Sequence, residues 1–189
     1  MYHPNRIEKG LIAMIPTPRL LLRPFRSEDA TVLSEYRSDE LVARYQGWSP
    51  PVSIEQAQNL VDQFMRASPN TPGWFQYAIE LQSEGRIIGD LGVRSEQTCE
   101  QAELGLTICR AYHGYGFATE VLEYITRELF DIRKMHRVYA TCDARNLPAA
   151  AALKSSGFRL DGRLRSATFI KGEWTDDLVF SQLAEDRHR

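Results

Sequence analysis

The sequence predicts an α/β fold: one mixed, mostly antiparallel sheet with helices on both faces. Three observations predict it. Residues Trp74–Leu81 alternate strictly, with Phe75, Tyr77, Ile79 and Leu81 on one face, and two further strand-like runs follow at hairpin spacing. Several segments carry helical periodicity instead and are interleaved with the strands. The stretch Ala102 to Asp143 reads strand–glycine loop–helix–strand, a crossover that makes its two strands parallel neighbours.

In chain order, the first 16 residues read as a loosely ordered arm, and residues 17–185 as a single domain. "RLLLRPF" (Arg19–Phe25) is a short strand ended by Pro24. Ser27 is expected to cap a short helix with Ala30, Leu33 and Tyr36 on its apolar face. "RYQGWSPP" breaks the pattern. Ser53 and Gln56 then form a capping box for a helix whose core face is Ala57, Leu60, Val61, Phe64 and Met65. Three strands come next, "WFQYAIEL", "IIGDLGV" and "AELGLTIC", separated by "SEGR" and "TCEQ". After "RAYHGYG" a helix carries Ala118, Val121, Leu122, Ile125 and Leu129 as one stripe. "RVYATCD" is a strand and "LPAAAALKSSG" a helix, with Pro148 in its first turn and Gly157 at its end. Two final strands, "FRLDGRLRSATFI" and "EWTDDLVFSQL", turn at Lys171–Gly172.

The chain has 189 residues, 43% of them hydrophobic and 25% charged, with a net charge of −2. That balance is ordinary for a globular protein and gives no electrostatic footprint for nucleic acid. No apolar run approaches the ~20 residues of a membrane span, and "LIAMI" is too short for a signal sequence core. Cys99, Cys109 and Cys142 are scattered, as expected of reduced thiols in a cytoplasmic protein. His3, His113, His136 and His188 lie far apart, so no metal site is expected.

Gly114 and Gly116 stand between a strand and a helix start, a layout that turns backbone N–H groups and the helix dipole toward an anion. A P-loop needs Gly-Lys-Ser/Thr, and here the chain reads "GFAT". The dinucleotide fingerprint needs glycine where Thr119 sits. Neither fits.

"ELGLTICRAYHGYGFATEVLEYITRELF", "NLPAAAALKSSGF" and "GEWTDDLVFSQL", in that order, resemble the GNAT superfamily of acetyl-CoA-dependent N-acetyltransferases, and within it the RimJ/RimL-type branch. "TPRLLLRPFRSEDA" is similar to that branch's opening, so the resemblance runs from Thr17 to Leu183. It implies a splayed parallel strand pair forming the coenzyme cleft and acetyl-CoA as cosubstrate. The superfamily's pyrophosphate loop, Q/R-x-x-G-x-G/A, falls on His113, Gly114, Tyr115, Gly116, Phe117 and Ala118, with Thr119 beside it. Gly116 and Ala118 match, while His113 replaces Gln or Arg. Leu106, Thr107, Ile108 and Cys109 would present backbone to the pantetheine arm, and Asn146 matches an asparagine that contacts the coenzyme.

The resemblance implies direct attack of an amine on the thioester, with no acyl-enzyme. Glu103 is the general-base candidate, with Glu80 and Asp90 as alternates on neighbouring strands. Two positions where relatives carry a proton donor hold Ala149 and Leu153 here. Tyr45, Trp48 and Glu80 are expected to face the acceptor, and Asp176 to play a structural part. The acceptor is a protein N-terminus or a small-molecule amine. A non-catalytic acyl-CoA sensor and a transferase of longer acyl groups are the rival readings, and a homodimer is compatible with the sequence.

Overall fold

The computed structural model describes residues 14–95 and 100–188. The alternation at Trp74–Leu81 becomes a strand, β3 (Gly73–Leu81), central to a sheet whose remaining members are β1 (Ile15–Pro16), β2 (Leu20–Pro24), β4 (Arg86–Ser95), β5 (Gln101–Ile108), β6 (Arg137–Asp143), β7 (Arg159–Ile170) and β8 (Glu173–Leu183). Among the described residues the eight strands lie in the order β1-β2-β3-β4-β5-β6-β8-β7. β5 and β6 are parallel, as the crossover requires; the other neighbouring strands are antiparallel.

Helices cover both faces. α4 (Phe117–Asp131) and α5 (Leu147–Ser155) pack on one, where Phe75, Tyr77, Ile79, Leu91, Val93 and Leu104 meet Val121, Leu122, Ile125 and Leu129. α1 (Ala30–Arg37) and α3 (Ile54–Arg66) pack on the other, where Ala78 and Ile87 meet Leu33, Tyr36, Ala57 and Val61. The Ser53–Gln56 capping box forms as read, with Ser53 Oγ accepting from Gln56 N and Gln56 Oε1 from Ser53 N.

Three local expectations are corrected, and one element is added. Ser27 does not cap a helix: it opens a 3₁₀ turn, Ser27–Asp29, held by the Asp29 carboxylate, which accepts from Arg26 N. Met65 is 50% exposed, because Phe64 pairs its ring with Phe25 at 5.1 Å and fills that end of the helix face. A one-turn helix, α2 (Glu40–Ala43), precedes the "RYQGWSPP" break and is capped by Asp39 Oδ1. Ile15 and Pro16, assigned by sequence to the arm, pair with Leu22 and Leu21, and Ile15 is buried. The rest of that arm, like Cys99, lies outside the described residues.

Candidate active site

β5 and β6 pair over four positions only, from Gln101↔Arg137 to Leu104↔Ala140. Beyond them β5 continues through Gly105–Ile108 along β4, and β6 through Thr141–Asp143 along β8. The strands therefore part at Leu104/Ala140, and a wedge opens with its apex there. Its facing edges carry backbone N–H and C=O groups with no strand across from them, which is what an extended polar ligand arm can pair with.

The mouth of the wedge is the glycine loop. Cys109 leads into a 3₁₀ turn, Arg110–Tyr112, and His113 Nε2 donates to Ile108 O at 2.8 Å, so this side chain pins the loop to the end of β5. Gly114 and Gly116 have φ of +83° and +78°, the left-handed region that favours glycine. Gly116 is the N-cap of α4, whose first internal hydrogen bond runs from Glu120 N to Gly116 O. The N–H groups of Phe117, Ala118 and Thr119 thus have no partner within the helix and point out of its positive end.

An acid in this first turn would repel a phosphate, but Glu120 is already held. Its carboxylate accepts from Thr17 Oγ1 at 2.5 Å, Arg19 N at 2.9 Å and Arg19 Nε at 2.6 Å. Arg19 also donates from Nη1 to Tyr115 O and lays its guanidinium over the Phe117 ring at 4.4 Å. A residue at the head of β2 therefore clamps the loop and adds a cation to it. Thr17 and Arg19 have no role in the sequence reading: a contact across about a hundred residues leaves no periodic signal. A cavity of about 460 Å³ opens beside the clamp, lined by Arg19, Gln82, Glu84, Tyr112 and Tyr115.

Burial pushes the Glu120 carboxyl up, but the bonds from Thr17 and Arg19 outweigh it and hold the carboxyl below its usual range. Its contribution to stability is therefore complete above the unfolded value of ~4.3 and is lost as pH falls through the depressed folded value. Glu120→Gln is expected to lower the urea midpoint at pH 7, with the gap to wild type closing as the pH drops below about 4.

Glu103 sits one position before the apex, opposite Tyr139. Its side chain is 19% exposed, and Oε2 accepts from Arg94 Nη1 at 3.2 Å and Tyr139 OH at 3.4 Å. Asn146 follows β6 and caps α5, with Oδ1 accepting from Ala149 N. Tyr45 lies beside Arg44 and Arg145, and Arg145 is bound to Asp143 at the end of β6 and to Glu173 of β8. Lys171, at the tip of the β7–β8 hairpin, donates to Ala43 O of α2, so hairpin and helix meet on this side.

Two expected acceptor residues are committed elsewhere. Glu80 is two strands from β5 and accepts from Arg23 Nε at 2.5 Å; Arg23 in turn grips Asp29 through two nitrogens. The indole of Trp48 donates to Arg37 O and stacks under the Arg37 guanidinium, a packing role in the α1–α3 layer. Asp90, the other alternate base, is 2% exposed and accepts from Tyr36 OH, Gln76 Nε2 and Arg37 Nη2. Asp176 accepts from Ser166 N and Arg163, holding the bulged β7 against β8. Among the described residues no cluster of three metal-ligating side chains occurs, and no helix is long and apolar enough to cross a membrane.

A model of the Acetyltransferase (GNAT) domain matches residues 19–159. The chain belongs to the GNAT acetyltransferase family. It is 29% identical over 175 residues to the N-acetyltransferase p20 of Bacillus licheniformis, covering 90% of this chain and 96% of that one. It is 23% identical over 153 residues to the spermidine N(1)-acetyltransferase of Escherichia coli K12, covering 81% and 80%. The crystal structure of a GNAT-family acetyltransferase from Bacillus anthracis superposes with a TM-score of 0.82 at 26% identity, covering 91% of this chain and 99% of that one.

Proposed function

We propose that this GNAT protein transfers the acetyl group of acetyl-CoA to a primary amine by direct attack in a ternary complex. The observation that carries the reading is the parting of β5 and β6 beside a helix start whose first N–H groups have no partner within the helix and whose first-turn acid, Glu120, is paired with Arg19. Backbone donors of residues 114–119 would hold the pyrophosphate, with Arg19 adding charge from the side. The open edge of Gly105–Ile108 would pair with the pantetheine arm and carry the thioester to the apex. Acetyl-CoA supplies the activated acyl carbon.

At the apex the amine lone pair forms the new C–N bond, the C–S bond breaks, and the sulfur leaves as thiolate to take up a proton. The amine must shed a proton, and Glu103, one position from the apex on β5 and oriented by Arg94 and Tyr139, is the carboxylate we assign to take it. A general base is worth ~10²–10⁴-fold. Glu103→Gln should lower kcat/KM by an amount in that range near pH 7, with activity recovering at high pH as the amine deprotonates unaided.

Among the described residues the two thiols support direct attack. Burial pushes Cys109 up to about 12 and Cys142 up to about 11, so neither is a thiolate at neutral pH. Cys109→Ala and Cys142→Ala are expected to keep near wild-type turnover, measured as thiol release from acetyl-CoA.

Relatives named as N-acetyltransferases, p20 among them, and one named for spermidine support an amine acceptor, protein N-terminus or small molecule. The test is thiol release from acetyl-CoA against a panel of polyamines, amino sugars and N-terminal peptides. Release with intersecting initial-velocity lines is expected; parallel lines would indicate an acyl-enzyme and contradict the mechanism. Ala149 and the buried Leu153, which supply no proton to the thiolate, favour the second reading, an acyl-CoA-binding sensor. Acetyl-CoA binding without release to any acceptor would decide for it.

A further inference from the structure

Away from the β7–β8 hairpin, where Phe169 and Trp174 are exposed, the sheet carries a large aromatic ring in the open next to the wedge. Trp74 is 49% exposed on β3, although its neighbours Phe75 and Tyr77 are buried. It points to the face opposite α4, and two glycines lie beneath it. A Cβ on Gly92 would meet Trp74 Cε3 and Cζ3 at 3.0 Å, and one on Gly105 would meet Cη2 and Cζ3 at 3.8 Å. The indole therefore lies across β4 and onto β5, in space that side chains at those two positions would otherwise take. Gly105 is the first β5 residue beyond the last β5–β6 pair, so the ring ends at the apex of the wedge.

Polar groups flank the ring. Gln76, two residues along the same face, donates from Nε2 to Asp90 and keeps Oε1 above Gly92, 2.8 Å from where a Cβ would stand. Glu103 shares its face with Gly105 and brings its carboxylate, with Arg94 on its β4 side. The π face of an indole and a carboxylate both favour an ammonium group. An amide oxygen adds a further acceptor for its N–H groups. An aromatic surface held in the open by two glycines, at the point where the acyl carbon would sit, suits an incoming substrate better than a core.

We propose that Trp74 is the platform for the acceptor, and that the acceptor is a cationic aliphatic amine whose stem crosses the indole toward the apex. This rests on the acetyl-transfer reading for its chemistry, but the binding surface exists without the coenzyme. Gly92 and Gly105 are then specificity-determining: a side chain at either position tilts the ring and closes the track. Trp74, Gln76 and Glu103 take over the role that the sequence reading gave to Trp48 and Glu80.

The test is the indole N–H resonance of Trp74, assigned by its disappearance in Trp74→Phe, during titration with spermidine with and without coenzyme A. The resonance is expected to move saturably in both titrations while that of Trp174 stays in place. Trp74→Ala, at a half-exposed site, should fold with a near wild-type unfolding midpoint and keep its response to acetyl-CoA. It should weaken spermidine binding by about 3- to 30-fold, the loss of one cation–π contact. Gly92→Ala, which keeps the indole but displaces it, should weaken binding in the same direction. A Trp74 resonance that is unmoved at high spermidine, or moved only by a peptide with a free N-terminal alanine, would overturn the proposal. So would wild-type affinity in Trp74→Ala. A failure of acetyl-CoA to bind would instead strike the acetyl-transfer reading and leave the titration of the free protein to judge the platform.

Discussion

Asp90→Ala is expected to destabilise the protein by about 3–5 kcal/mol, the range for removing one partner of a buried ion pair. Asp90 stands on β4 beneath α1 and gathers Tyr36 OH, Gln76 Nε2 and both oxygens' contacts to Arg37 Nη2. Arg37 is buried between this carboxylate and the Trp48 ring, and its Nε has no hydrogen-bond partner. Burial and the neighbouring carboxylate push the Tyr36 hydroxyl well up, so it stays a donor. Truncating Asp90 strands a guanidinium, a phenol and an amide at once. Urea unfolding should show the loss, and the double variant Asp90→Leu with Arg37→Met should recover the part due to the stranded guanidinium, because no charge is then left buried. A loss below about 1 kcal/mol in Asp90→Ala would mean that water reaches the cluster.

Gly116→Val is expected to cost acetyl-CoA affinity about 100-fold. A β-branched residue resists φ near +78°, and even an unbranched one pays ~1–2 kcal/mol for the left-handed conformation. Relaxing that strain rotates the peptide planes that start α4. Two hydrogen bonds to a charged acceptor at ~1.5 kcal/mol each account for the estimate. Isothermal titration of acetyl-CoA measures it. Gly162→Ala, at a glycine with open space around it and no positive φ, should bind as wild type. Equal affinity in both variants would mean that the loop backbone does not carry the coenzyme.

The strands and the crossover were legible because their signals are local. Alternation at Trp74–Leu81, the Ser53–Gln56 box and the Gly114/Gly116 pair each declare themselves within a dozen residues. The wedge followed from the crossover together with the family resemblance. What stayed hidden depends on contacts between distant segments. Arg19 reads as an unremarked residue at a strand start until Glu120 and Tyr115 are brought to it. Glu80 reads as an alternate base and acceptor residue until Arg23, diagonally across on β2, is brought to it. Trp74 reads as one exposed position of an alternating strand, and only the absence of side chains at Gly92 and Gly105 turns it into a surface. Trp48 is the converse case: a tryptophan in a proline- and glycine-rich loop suggests a binding site, and here its ring packs against Arg37.

The central claim, that the β5–β6 wedge and the glycine loop form one coenzyme site, is tested most directly by thermal unfolding of the wild-type protein with and without acetyl-CoA. Binding to the folded state alone should raise the midpoint, and at a hundred times the dissociation constant the gain is about 2.7 kcal/mol. The account predicts that rise, and predicts a much smaller one in Gly116→Val at the same concentration. No rise in the wild type at millimolar acetyl-CoA would contradict it, and the two glycines would then be only a tight turn into α4.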